Sequence, residues 1–506
     1  MLNSDRLRIV MASSEAVPFS KTGGLADVST ALSKALSGFG HDVTLVIPDY
    51  RKIRQKKQEV LPAVTDTGLR FALTIGEHRI PGSVNWTMLP DCSVRVLLVQ
   101  SEYFDRPQIY MENGQGYEDN SERFCFFSRA VLEICQQMVL RPDILHCNDW
   151  QTGLIPALLN TQFSGRPGFE NAASVMTLHN MAFQGRFPWN KLPITAMDAR
   201  YFNMHHMETW GDVNLLKTGI AFADQITTVS PTYAHEVCTP LGGEGLDALL
   251  SHRGSDLVGI LNGIDTDVWN PATDPLIPAN YSLNALTPGK PLCKSYLQKH
   301  IGLPCRENVP LLGMVSRMSD QKGFDLIAEC ANRLLFHDIQ MVFLGTGEGR
   351  YEDYLQYLSQ QHPGKVAAHI GFDESLAHQI EAGSDIFLMP SRFEPCGLNQ
   401  MYSLAYGTLP LVRKVGGLAD SVVHSSPENI RDGKATGFVF DEYDSRGLAQ
   451  TVEYAIDLYR QPQVWKKIMS TAMAIDWSWS RSAKAYVQTY HRARERRHDR
   501  RKDNRE

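Results

Sequence analysis

PLLGMVSRMSDQKGFDLIAECANRLLF, residues 310–336, holds a strand, a loop and a helix in one line. Its opening run, PLLGMVS, is apolar without polar alternation. Such a run is a strand buried on both faces, as in a parallel sheet covered by helices. FDLIAECANRLLF repeats its apolar residues at helical spacing. Between the two lie Arg317 and Lys322, both cations on one strand-to-helix loop. A planar guanidinium and a long ammonium suit the oxygens of a diphosphate, a leaving diphosphate above all. The same residues read also as surface ion pairs with Asp320 or Asp325.

The pattern repeats in both directions. Before it come LRIVMAS, DVTLVIP, VRVLLVQ, DILHCND, SVMTLHN, QITTVS and LVGILNG; after it come IQMVFLGTG, KVAAHIG, DIFLMPS, TLPLVRK and GFVF. Helical stretches such as LADVSTALSKAL, SERFCFFSRAVLEICQQMVL and SRGLAQTVEYAIDLYR lie between them. Alternation on this scale is α/β architecture with two doubly wound, Rossmann-like domains. The expected division is 1–265 for the first domain, 266–309 for a Pro/Asn-rich linker, 310–480 for the second domain and 481–506 for a C-terminal helix and basic tail. Ligands of open α/β sheets sit beyond the carboxyl ends of strands, so the site is expected in a cleft between the two blocks.

Composition narrows the function classes. A chain of 506 residues, 43% hydrophobic and 21% charged, has enough apolar surface for two cores. Its net charge of −6 argues against a general polyanion binder. The one strong basic run, RARERRHDRRKDNRE from Arg492, alternates with acids and reads as a solvated helix end or frayed tail. No aromatic interleaving supports a nucleic-acid surface. Nine scattered cysteines without a C-x-x-C pair argue against a disulfide framework and a structural zinc site. No stretch reaches the roughly 20 apolar residues of a membrane span. The expectation is a soluble, cytoplasmic protein with no metal, no nucleic-acid partner and no membrane partner.

The polar clusters all follow strands. SRFEPCGLNQMYSLAYG, from Ser391, restricts the backbone through Pro395 and Gly397 just before a helix. Glu394 there is either a carboxylate for sugar hydroxyls or a helix-entry cap, with Ser391 and Arg392 crowding the same loop. Cys396 reads as a packing or backbone-positioning residue, since no His adjoins it. FLGTGEG places Gly345 and Gly347 after a strand, as either a nucleotide loop or a tight turn; it is neither G-x-G-x-x-G nor a P-loop. HCNDWQTG and TLHNMAFQG offer Asp149, Trp150, His179 and Asn180, hydrogen-bonding edges plus one aromatic plate, as sugar sites use; His146 reads as structural. SKTGGLADV sets Lys21, Gly23 and Gly24 at the mouth of a helix, and KVGGLADSV from Lys414 echoes it.

Together these strings resemble the bacterial glycogen synthases and plant starch synthases, ADP-glucose-using glycosyltransferases of the GT-B fold. The resemblance runs in order from ASSEAVPFSKTGGLADV through DNSERF, HCNDW, TLHN, TTVSPTYA, NGIDTDVWNP, SRMSDQKGFDL, PSRFEPCGLNQMY and GGLADSV to WSWSRSAKAYVQTY. It implies that Lys21 lies beside the nucleotide-sugar phosphates. Asp149, His179 and Asn262 would bind the donor glucose or hold the pocket, and Arg317 with Lys322 would neutralise the diphosphate. Glu394 would hydrogen-bond the transferred glucose, positioned by backbone groups of Cys396 and Gly397, and Phe372 would stack near adenine. The implied reaction moves glucose from ADP-glucose, a co-substrate, to the non-reducing end of an α-1,4-glucan such as glycogen, with retention. No cofactor or metal is implied. Two departures stand out: Asn148 occupies a position where the family usually shows His, and Gly242–Gly243–Glu244 replaces the usual acidic–Tyr–Gly pattern. A sibling using UDP-glucose or a small acceptor, and an inactive glucan-binding protein, are the competing readings. A retaining transfer without an evident nucleophile points to front-face attack, with domain closure on donor binding.

Overall fold

Runs of Val, Ile and Leu without polar alternation form the parallel sheets of two units in a computed structural model that describes residues 6–55, 61–112 and 114–503. The first unit takes the chain up to Gly263 and again from Trp479, and the second takes Ile264–Ser478.

The first unit is built on nine strands: β1 Arg8–Ala12, β2 Asp42–Pro48, β3 Thr65–Ile75, β4 His78–Met88, β5 Arg95–Gln100, β6 Ile144–Asn148, β7 Ala173–Leu178, β8 Gln225–Thr228 and β9 Leu257–Gly259. Their order across the sheet is β9-β8-β7-β6-β1-β2-β5-β4-β3. Neighbours from β9 to β5 pair in parallel, whereas β4 pairs antiparallel with β5 and β3. That β3–β4 hairpin was outside the sequence reading, because Thr65–Ile75 alternates exposed and inward residues instead of forming a continuous apolar run. Its signal is the two-residue turn Gly76–Glu77 between the paired Ile75 and His78, with Gly76 at φ +60°.

The second unit has six strands, all parallel: β10 Leu311–Val315, β11 Gln340–Gly345, β12 Val366–Ile370, β13 Ile386–Met389, β14 Leu409–Arg413 and β15 Phe438–Phe440, in the order β12-β11-β10-β13-β14-β15. The helix Phe324–Phe336 spans the residues its periodicity indicates and buries Phe324, Leu326, Ile327, Cys330 and Leu334.

Two domain boundaries differ from the expectation. Residues 266–309, read as a linker from their prolines, lie within the second unit and include the helix Gly289–His300. Trp269 is sandwiched between the rings of His378 and Tyr402, each at 3.8 Å, and Asp274 accepts hydrogen bonds from His378 at 2.7 Å and Tyr406 at 2.5 Å. Buried aromatic anchors therefore outweigh proline density there. The C-terminal helix Trp479–Asp503 belongs to the first unit, where Tyr486 and Tyr490 enter the core. Its basic end is not a solvated tail. Arg496 pairs with buried Asp256 at 3.0 Å, Arg500 with buried Asp224 at 3.2 Å, and Arg497 reaches Asn160.

Candidate active site

In the second unit, β10 lies between β11 and β13, so the loops leaving these three strands meet at one edge of the sheet. Lys322 donates from Nζ to Oε2 of Glu394, forming a mostly buried ion pair, and Ser391 Oγ donates to the same oxygen at 3.2 Å. Glu394 is only 7% exposed. Arg317 stands exposed nearby in sequence and has no ion-pair partner among the described residues. Backbone bonds zip the loops together: Met318 N–H to Thr346 O at 3.0 Å, Glu348 N–H to Met318 O at 2.7 Å, and Arg392 N–H to Gln321 O at 2.8 Å.

Gly345 and Gly347 belong to that zipper. A Cβ on Gly347 would fall 2.2 Å from Met318 O, and one on Gly345 would fall 1.9 Å from Ser316 O. Of their two sequence readings, the tight turn is the one this geometry explains: these glycines let the Arg317 loop approach. Cys396 is buried, and Gln400 Nε2 donates to the carbonyls of Cys396 and Gly397 at 3.0 and 3.1 Å. Phe372 follows β12, two strands from β10, and is 89% exposed.

In the first unit, β6 lies between β1 and β7, and a second cluster forms at the ends of these strands. Asp149, directly after β6, adopts φ +54° and ψ −175°, a backbone region that is essentially glycine's own. Strain of about 1–3 kcal/mol persists only where surroundings over-determine a residue, and such residues gather at functional sites. Here the surroundings are explicit. Asp149 N–H donates to Thr177 O at 3.0 Å, while its carboxylate accepts from the N–H of His179 at 2.8 Å and from that of Asn180. Desolvation raises the Asp149 carboxyl to about 7 despite these bonds, and the nearby Glu15 charge adds to the rise.

His179 directly follows β7, and its Nε2 lies 2.9 Å from Asn148 Oδ1. Burial lowers its pKa to about 3, so the ring is neutral. Asn180 caps its own turn through a bond from Ala182 N–H to its Oδ1 at 3.0 Å. Trp150 is not the exposed plate the sequence suggests. It is 9% exposed, edge-on to Phe124 at 4.9 Å and to Phe187 at 5.8 Å, with Gly185 against its face. His146 is structural, as read, between Tyr490 OH at 2.8 Å and Thr177 Oγ1 at 2.6 Å. Asn262 is buried, with no partner for its Oδ1 among the described residues. In the loop that departs from the family pattern, the Glu244 carbonyl accepts from Gln184 Nε2 at 2.9 Å.

Lys21, Gly23 and Gly24 are exposed where β1 runs into the helix Gly24–Gly38, and Lys21 pairs with Asp27 at 2.8 Å. The residue that fixes this turn escaped the sequence reading. Glu15 is buried and accepts from Thr22 N–H, from Thr22 Oγ1 at 2.7 Å and from Tyr110 OH at 2.6 Å; burial raises its pKa. Its one sequence signal is a carboxylate in an otherwise small and apolar run, SSEAVPF, right after a strand. Asn148 stands out in sequence only as a departure from the family pattern, because its role needs the partner that follows the next strand. Among the described residues no group of three or more His, Cys, Asp or Glu forms a metal site, and no helix is long and apolar enough to cross a membrane.

Residues 8–252 match the starch synthase catalytic domain and residues 298–469 match glycosyl transferases group 1. A glycogen synthase of Anaeromyxobacter dehalogenans strain 2CP-C is 45% identical over 96% of this chain and 99% of its own length. Glycogen synthase 1 of Methylococcus capsulatus is 44% identical over 96% of this chain and 97% of its own. Among solved structures, the catalytic domain of starch synthase IV from Arabidopsis thaliana, bound to ADP and acarbose, superposes with a TM-score of 0.89 at 33% identity, covering 97% of this chain and 100% of that one. A sucrose-phosphate synthase from Thermosynechococcus elongatus, at a TM-score of 0.58 and 17% identity, shares the fold alone. With relatives this similar along nearly its whole length, the chain belongs to the glycogen synthase and starch synthase family of GT-B glycosyltransferases.

Proposed function

We propose that the protein is a glycogen synthase, a retaining glucosyltransferase that moves glucose from ADP-glucose to the non-reducing end of an α-1,4-glucan. The observation that carries this reading is the Lys322–Glu394–Ser391 cluster, with exposed Arg317 on the same loop as Lys322, at adjoining strand ends of the second unit. A carboxylate that binds sugar hydroxyls and a cation that binds diphosphate stand there already in contact. The starch synthase of the solved relative is bound to ADP and acarbose, which supports the same ligand classes here.

In the ground state Glu394 neutralises Lys322. An incoming diphosphate competes for the ammonium, and the sugar hydroxyls compete for the carboxylate. Donor binding thus separates the pair and gives each charge a substrate partner. The C1–O bond to the diphosphate then breaks while the acceptor hydroxyl oxygen bonds C1 from the same face. The acceptor proton passes to the departing phosphate oxygen, whose charge Arg317 and Lys322 stabilise. In the first unit, Asp149 and His179 carry polar groups of the kind sugar hydroxyls bind, and Lys21 is a cation of the kind phosphate binds.

The test is incorporation of labelled glucose into glycogen, with ADP-glucose and UDP-glucose run side by side. Label from ADP-glucose that an α-1,4-specific hydrolase releases is the expected result. Label from UDP-glucose alone would overturn the nucleotide, and glucan binding without label from either donor would overturn the enzymatic reading.

A further inference from the structure

The hydrogen bonds around Asn148 decide which ring nitrogen of His179 carries its proton. Asn148 is the last residue of β6 and 1% exposed. Its Nδ2 lies 3.0 Å from the Ala12 carbonyl on neighbouring β1, with Met11 Sδ also in reach at 3.2 Å. A carbonyl oxygen only accepts, so the amide nitrogen must face Ala12. The amide oxygen then faces His179, 2.9 Å from Nε2. That oxygen also only accepts, so Nε2 must carry the hydrogen. A neutral imidazole with its proton on Nε2 has a lone pair on Nδ1.

We infer that Asn148 is a positioning residue that fixes His179 as the Nε2–H tautomer, so that Nδ1 accepts a hydrogen bond from a hydroxyl of bound sugar. The selection is one-directional. Asn148 lies in a strand, with its amide pinned by β1, and flipping that amide would set its oxygen against the Ala12 carbonyl. The His179 backbone is fixed separately by Asp149, so the tautomer is chosen without moving the residue. A sugar hydroxyl donating to Nδ1 remains free to accept elsewhere, whereas an Nδ1–H ring would reverse that polarity. The inference rests on the proposed sugar-transfer reading and adds to it the direction of one hydrogen bond.

Two measurements test it. Nitrogen-15 spectra of substrate-free protein labelled in its 16 histidine rings, with His179 assigned by its loss in His179→Gln, read the tautomer directly. The expected result is Nε2 protonated and Nδ1 bare in the wild type, with Nδ1–H appearing in Asn148→Leu. A wild-type ring protonated on Nδ1 would overturn the inference even if Asn148→Leu failed to fold. The second measurement uses donors in which one glucose hydroxyl at a time is replaced by fluorine, which cannot donate. Asn148→Leu should lower kcat about tenfold with the normal donor, the loss of one hydrogen bond. The fluorinated donor that lacks the hydroxyl bound to Nδ1 should be slow with wild type and lose nothing further in the variant. Equal additional losses for every fluorinated donor would overturn the sugar contact. Wild-type protein that transfers glucose from no donor would overturn the function and with it the sugar contact, leaving the tautomer to the spectra.

Discussion

Replacing Lys322 by Ala removes a cation with two duties, and the two separate in different assays. In the resting protein its ammonium is the ionic partner of Glu394, whose remaining side-chain donor is Ser391 Oγ at 3.2 Å. Breaking a fully buried pair by deleting one member costs about 3–5 kcal/mol, because it strands a buried charge. Lys322 retains about a fifth of its side-chain exposure, so water reaches part of the vacated site. The expected loss is accordingly smaller, about 2 kcal/mol. In the proposed mechanism, catalysis depends on the other duty. Losing one positioned cation from the departing diphosphate should lower kcat by about 10²–10³, or about 2.7–4 kcal/mol. Urea unfolding and initial rates of Lys322→Ala, Glu394→Gln and the double variant resolve the two. Neutralising Glu394 in the double variant removes the stranded charge, so its stability should exceed that of Lys322→Ala alone, while kcat stays low. Strictly additive stabilities would refute the paired ground state, and unchanged turnover in Lys322→Ala would remove the cation from the leaving-group step.

Three further outcomes follow from other residues. The Asp149 carboxyl, raised to about 7 by burial, holds its proton more tightly folded than unfolded; its contribution is fully present below about pH 4 and is lost as pH rises through about 7. Asp149→Asn should therefore gain stability relative to wild type between pH 4 and pH 8, read from urea midpoints, and a constant difference across that range would contradict the assignment. Arg500→Ala strips the partner at 3.2 Å from buried Asp224 and should destabilise the first unit by about 1–3 kcal/mol, whereas a solvated tail would give no change. Gly347→Ala puts a Cβ 2.2 Å from Met318 O, so the Arg317 loop must shift; kcat/KM for the donor should drop at least tenfold, and wild-type kinetics would show the loop to be independent of that contact.

Strands buried on both faces were legible because nothing but a covered parallel sheet tolerates so many apolar runs. The β3–β4 hairpin was not, since an edge with one wet face alternates and resembles a loop when judged by hydrophobic run length. The 266–309 stretch misled through composition: its prolines are real, but Trp269 and Tyr281 tie it to the helices Glu374–Gly383 and Asn399–Ala405, a long-range fact no local window contains. The basic end of the last helix failed for the same reason, because the acids that receive Arg496 and Arg500 lie more than 200 residues earlier. Among site residues, the charged ones announced themselves after strands. Glu15 is the exception among them, because its importance lies in the turn it holds, and Asn148 showed itself only as a departure from the family pattern.

The repeated Gly-Gly-Leu-Ala-Asp string shows how far such an echo can be carried. In the first copy, Gly23 and Gly24 are exposed, and a Cβ on Gly23 would meet nothing within 4 Å. In the second, Gly416 and Gly417 are buried against the Glu394 loop, where added Cβ atoms would fall 2.0 Å from Glu394 O and 2.2 Å from Cys396 O. The same five letters therefore meet two different demands. The second pair shapes the carboxylate loop by allowing backbone to touch backbone, and no larger residue fits there. Gly23 has room for a side chain within its own unit, so packing there does not require glycine. A glycine kept where space is open is one whose bare backbone a ligand can approach, which is the demand a phosphate makes of amides at the start of a helix. The contrast is measurable: Gly417→Ala should impair folding of the second unit, whereas Gly23→Ala should fold normally and raise the KM for the nucleotide sugar. A Gly23→Ala enzyme with unchanged KM would place the phosphates elsewhere.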